Sequence, residues 1–166
     1  MLPWMLTALV TSASEPAVTQ LDHHRVRGTI DVTASVERVR AVLADPRNIA
    51  RIDDDGTTIT MRGSDEDCEL AHASVAHPIA SIEYLVKVCP VPGGWRSTLV
   101  QSDHLEVFES IWKVEARGSG AHLLYEIRTI PKIPVPQFIV DRQTRASVHA
   151  LLLKMRTHFD GGAPPE

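Results

Sequence analysis

Polar and apolar positions alternate strictly over residues 25–32. Val26, Gly28, Ile30 and Val32 oppose Arg25, Arg27, Thr29 and Asp31, which predicts a strand with one buried and one wet face. The period then lengthens. Val36, Val39, Val42 and Leu43 fall at helical spacing behind Ser35, whose hydroxyl can cap the first turn. Asp45-Pro46 ends that helix, because the residue before a proline is pushed out of the helical region. A second short helix is expected over 48–52. It runs into Asp53-Asp54-Asp55-Gly56, which lacks the alternating ligands and distant Glu of a calcium loop and reads as a solvated turn.

From 57 to 130 the pattern is strand-like throughout. Six strands are expected at 57–62, 68–76, 81–89, 95–102, 105–115 and 122–130. They are punctuated by Gly63-Ser64-Asp65, His77-Pro78, Val91-Pro92-Gly93-Gly94, Ser102-Asp103 and Arg117-Gly118-Ser119-Gly120. Ile82, Tyr84, Val86 and Val88 on one strand, and Leu123, Tyr125 and Ile127 on another, mark a single apolar face. Three prolines exclude helix and central strand from 130–136. A helix follows over 137–159, with Val148, Leu151, Leu152, Met155 and Phe159 along one stripe. At 1.5 Å per residue it reaches roughly 33 Å, enough to cross the sheet and cover its apolar face. The fold class is therefore α+β: a curved, seven-stranded antiparallel sheet wrapped around a long C-terminal helix, with two short helices after the first strand.

Composition narrows the function classes. The chain has 166 residues, 43% hydrophobic and 23% charged, which suits one globular domain. Seventeen Lys and Arg against 21 Asp and Glu give a net charge of -4, so nucleic acid is not an expected partner. Residues 1–20 read as a signal peptide or a disordered N-terminus: the apolar stretch 2–10 precedes the small residues Thr11, Ser12 and Ala13, although no Lys or Arg comes before it. The ligand-binding domain is expected over 21–160, with a tail at 161–166. Export to a periplasmic or extracellular setting is the expectation, and a cytoplasmic chain the alternative. The two cysteines, Cys68 and Cys89, open one strand and close the next. They come toward the same end of a hairpin, where they could pair if the chain is exported or remain buried thiols in the cytosol.

Several stretches carry a resemblance. Ile30-Asp31-Val32-Thr33-Ala34-Ser35-Val36-Glu37-Arg38-Val39 is similar to the strand-to-helix junction of the START-like (SRPBCC) superfamily, and Ala44-Asp45-Pro46-Arg47-Asn48 to its first-helix exit. Ser110-Ile111-Trp112-Lys113-Val114, Leu124-Tyr125-Glu126-Ile127 and Ile133-Pro134-Val135-Pro136-Gln137-Phe138-Ile139-Val140 resemble its last strands and the proline turn into the long helix. The likeness spans 26–159 and concerns the helix-grip fold of a superfamily that includes the birch pollen allergen, polyketide cyclases/dehydrases and coenzyme Q-binding proteins. It implies a cavity between sheet and helix for a lipid, quinone or polyketide-like molecule. These motifs specify architecture more than chemistry.

The expected inward set is Ile82, Tyr84, Val86, Leu99, Phe108, Trp112, Leu123, Tyr125, Ile127, Val148, Leu151, Leu152 and Met155, with His149 bordering the helical stripe. Binding or transport of a small hydrophobic ligand is the expected function. The alternative is an aromatase/cyclase or dehydratase acting on a polyketide-like substrate, for which His149 and Tyr125 are the only nameable acid-base groups. A third reading is an interaction module whose interior is filled by side chains. No catalytic residue is assigned. The eight histidines follow no metal-binding spacing, and neither a metal nor a cofactor is expected. A monomer making at most brief membrane contact is expected, with ligand access through 131–136 or the turn near Pro90 and Pro92.

Overall fold

The computed structural model describes residues 15–76 and 81–161. In chain order they form β1 (Ala17–Asp22), β2 (Arg25–Val32), α1 (Val36–Leu43), α2 (Pro46–Asp53), β3 (Thr57–Asp65), β4 (Cys68–Val75), β5 (Ile82–Val91), β6 (Gly94–Ser102), β7 (Leu105–Arg117), β8 (Gly120–Pro131) and α3 (Gln137–Asp160). All strands join one antiparallel sheet in the order β1-β2-β8-β7-β6-β5-β4-β3. The architecture is the expected α+β one, with eight strands where seven were expected. The added strand is β1, an edge strand with a weak signal: only Val18 and Gln20 are half-buried, and its pairing with β2 shifts register between Gln20 and Asp22. His23 and His24 thus form the β1–β2 turn, with His24 at φ 70°, and strand structure begins inside the expected N-terminal segment. Residues 1–14 of that segment, the His77-Pro78 turn and 162–166 of the tail lie outside the described residues.

Local chemistry sets the element ends. Ser35 Oγ accepts from the Arg38 amide at 3.3 Å and starts α1 as expected. Asp45 ends α1 and also starts α2, its carboxylate accepting from the Arg47 amide at 2.9 Å with Pro46 in the first turn. Hence α2 begins at Pro46 rather than residue 48. It closes on Asp54 in the left-handed region, φ 47°. Gly63, at φ 108°, occupies a bulge in β3 rather than the β3–β4 turn, which falls at Glu66 and Asp67. Gly94 faces the β7 backbone so closely that a Cβ there would lie 1.7 Å from the Trp112 carbonyl oxygen.

The long helix grips one side of the sheet. α3 crosses β2 at Gly28, where a Cβ would lie 2.6 Å from both Leu152 Cδ1 and Val148 Cγ1. Around that crossing Val26, Val39, Val114, Leu123, Leu152, Met155 and Phe159 form a fully buried core. Three polar ties fix the helix: Asp160 accepts from the Thr33 amide at 2.7 Å, Arg145 donates to Gln20 at 2.8 Å, and Lys154 Nζ lies 3.2 Å from Asp53 Oδ1. The far wing, β3 to β5, carries the Cys68–Cys89 disulfide, whose Cα atoms are 4.3 Å apart. These cysteines stand one position beyond the Glu69–Val88 rung of the β4–β5 ladder. The β6–β7 ladder runs only from Gly94–Lys113 to Thr98–Glu109, so the last residues of that hairpin before its turn are not paired across it. None of the described helices is long and apolar enough to cross a membrane.

Candidate functional site

Over β3 to β8, the inner face of the sheet, α2, α3 and the end of α1 enclose a half-open cavity of about 250 Å³. The sheet contributes Ile59, Ala71, Ala73, Val75, Tyr84, Val86, Val88, Trp95, Phe108, Trp112, Tyr125 and Ile127. The helices contribute Leu43, Pro46, Ile49, Ala50, Asp53, Thr144, Ser147, Val148 and Leu151. Side-chain size explains why space remains. The inward positions of β4 are alanines, Ala71 and Ala73, and the α3 positions over the cavity include Thr144 and Ser147. Nothing at these positions is long enough to meet the opposite wall. Two aromatic pairs stand among the lining residues: Tyr84 with Phe108 at 4.9 Å between ring centres, and Trp112 stacked on Tyr125 at 4.3 Å.

Eight of the expected ligand-contacting residues line this space: Tyr84, Val86, Phe108, Trp112, Tyr125, Ile127, Val148 and Leu151. Five do not. Leu123, Leu152 and Met155 are fully buried in the closed core under α3. Leu99 is half-buried just past the last β6–β7 rung. His149 is turned outward, its Nε2 4.0 Å from Glu15. Position along α3 makes the division as much as position around it: at 100° per residue Met155 falls between Thr144 and Val148 in angle, but 152, 155 and 159 lie toward the C-terminal end of the helix, in the closed core. Ile82, also expected inward, lies outside the lining. Neither 131–136 nor the Pro90–Pro92 turn contributes a lining residue, whereas α2 contributes four.

The acidic run does more than turn the chain. Asp55 caps the Thr57 amide at 3.0 Å, as a solvated turn would, but both Asp53 and Asp55 line the cavity. Lys154 reaches across from α3 to donate to the Asp53 carbonyl and carboxylate. Burial, followed by the nearby Asp55 charge, nevertheless leaves the Asp53 carboxyl above its usual range. Burial, then Asp55, pushes the Tyr84 phenol up to about 12. Burial raises Tyr125 as well, although its hydroxyl is hydrogen-bonded to Ser110. Both tyrosines are therefore neutral hydroxyls at physiological pH. A triple Asp has no hydrophobic period, so sequence patterning gave no signal for Asp53. Small inward residues such as Ala71 and Ala73 are equally invisible to a search for large apolar ones.

Among the described residues no group of His, Cys, Asp and Glu is arranged to hold a metal. No protein-family model matches the chain, and no curated protein matches it. Solved structures do resemble it. A START superfamily protein from Mycobacterium smegmatis is 21% identical with a TM-score of 0.70, over 82% of this chain and 97% of that one. The Zhui aromatase/cyclase from Streptomyces sp. R1128 is 12% identical, TM-score 0.63, over 84% and 98%. Human StAR-related lipid transfer protein 5 is 11% identical, TM-score 0.67, over 90% and 88%. The chain has the START-like helix-grip fold.

Proposed function

We propose that the protein binds and carries a small, largely apolar molecule in the cavity beneath α2 and α3. The observation that carries this reading is the space itself: apolar and aromatic walls left apart by alanine, serine and threonine at facing positions. Solved structures of the same fold include a lipid transfer protein and an aromatase/cyclase. Burying an eight-carbon chain would contribute about 6 kcal/mol at roughly 0.8 kcal/mol per methylene. The volume is below the roughly 300–1,000 Å³ of typical ligand pockets, which favours a compact ligand. The cyclase alternative loses one of its two nameable groups, since His149 stands outside the cavity while Tyr125 stays in the lining as a neutral phenol.

Two surface features fit this role. Ile133, Val135, Phe138 and Ile139 are exposed beside Lys132 and Arg142, a patch suited to brief contact with a lipid surface during loading. The Cys68–Cys89 bond suits an oxidising compartment, in line with export. Native mass spectrometry of the purified protein tests the reading. A co-purified apolar molecule is expected, and Ala73→Leu should displace it by filling the cavity. A clean protein with no thermal shift across a panel of lipids, quinones and aromatic compounds would sink the proposal.

A further inference from the structure

The cavity's charge inventory is one-sided. Of the residues that line it, only Asp53 and Asp55 are acidic, and none is basic. Lys154, the cation nearest to Asp53, is not in the lining. Asp53 is also the last residue of α2, so the carbonyl end of that helix adds partial negative charge at the same place. The remaining polar lining is neutral, the hydroxyls of Tyr84, Tyr125, serines and threonines and the indole N–H groups of Trp95 and Trp112, with Tyr125 engaged with Ser110. A carboxylate or phosphate entering here would meet two like charges in a partly desolvated space and find no compensating lining cation. A hydroxyl or amine on an apolar body would find a carboxylate able to accept from it.

From this arrangement we infer that the cavity selects apolar molecules carrying a hydroxyl or amine donor at the Asp53 end, and excludes anionic ones such as free fatty acids. Asp53 is the specificity-determining residue. The inference rests on the cavity being a ligand site, and it goes further by fixing the head-group chemistry. A burial-raised carboxyl at Asp53 agrees with it, since a neutral or cationic head relieves what a second anion would aggravate.

The test uses one apolar body with three heads: 1-naphthalenemethanol, 1-naphthylmethylamine and 1-naphthoate. Binding to the full chain is followed by calorimetry and by quenching of Trp95 and Trp112, which line the cavity. The alcohol and the amine are expected to bind, with the naphthoate roughly tenfold weaker or more, the scale of a hydrogen bond to a charged group. Asp53→Asn should reduce the amine's advantage and strengthen the naphthoate, with Asp55→Asn moving both in the same direction by less. Both variants are first checked for an unchanged fold by circular dichroism. Naphthoate binding as tightly as the alcohol, or an unchanged ligand order in Asp53→Asn, overturns the selectivity while leaving the cavity reading intact. Failure of all three compounds to bind overturns the cavity reading and the selectivity with it.

Discussion

Opening the Cys68–Cys89 bond should lower the stability of the protein by an amount the chain itself sets. The bond closes a loop with a sequence separation of 21 residues. Loop-closure entropy of about -2.1 - 1.5R ln n cal/mol/K then gives roughly 3.3 kcal/mol at 25 °C from restriction of the unfolded chain. The native geometry accommodates the link, because Cα atoms 4.3 Å apart match the roughly 4.5 Å of a non-hydrogen-bonded antiparallel pair. At about 3 °C per kcal/mol for a domain near 150 residues, the melting temperature should fall by roughly 10 °C. The assay is thermal unfolding followed by circular dichroism, comparing oxidised protein, protein with reductant, and Cys68→Ser/Cys89→Ser. The last two should coincide. Equal melting temperatures in all three samples, or two titratable thiols in the untreated denatured protein, would refute the reasoning.

Three further outcomes are expected. Gly28→Ala places a methyl 2.6 Å from Leu152 and Val148, so thermal melts should show a loss of about 1–3 kcal/mol; combined with Leu152→Ala the two effects should fall short of their sum, and strict additivity would dismiss the crossing contact. Because burial and Asp55 raise the Asp53 carboxyl above 3.8, its contribution is fully present below that value and is lost as pH climbs through the raised one; Asp53→Asn should therefore melt like the parent near pH 3 and higher than it near pH 7, and a gap independent of pH would contradict this. Phe138, 72% exposed, should tolerate Asp with a stability change within about 0.5 kcal/mol, while co-sedimentation with anionic vesicles drops; unchanged co-sedimentation removes the patch from membrane contact.

The fold was legible because most of its strands and α3 alternate or repeat cleanly. Ser35, Asp45-Pro46 and the Pro92-Gly93 turn punctuate the chain with chemistry that has few alternatives. β1 escaped notice since an edge strand pairs on one side only and buries little, so its composition carries scant period. The candidate site was only half legible for a related reason. Apolar periodicity reports which residues face inward but does not separate those that meet a partner from those that face empty space. Leu151 and Leu152 are neighbours in one helical stripe, yet one borders the cavity and the other the core. What divides them is the crossing at Gly28, which a single strand's pattern does not encode.

The short β6–β7 ladder changes how the cavity wall should breathe. Beyond Thr98–Glu109, Leu99 to Ser102 stay with β5 while Leu105 to Phe108 stay with β8, so the two halves of the sheet meet there without cross-strand rungs. Phe108, on the β7 side of this seam, lines the cavity, as does Ser97 in the last paired rungs before it. Amide hydrogens next to such a seam open at lower free energy than those in a continuous ladder, and exchange with solvent should concentrate there. Exchange confined to the seam, with the core gripped by α3 still protected, would mark it as a line of weakness in the cavity wall.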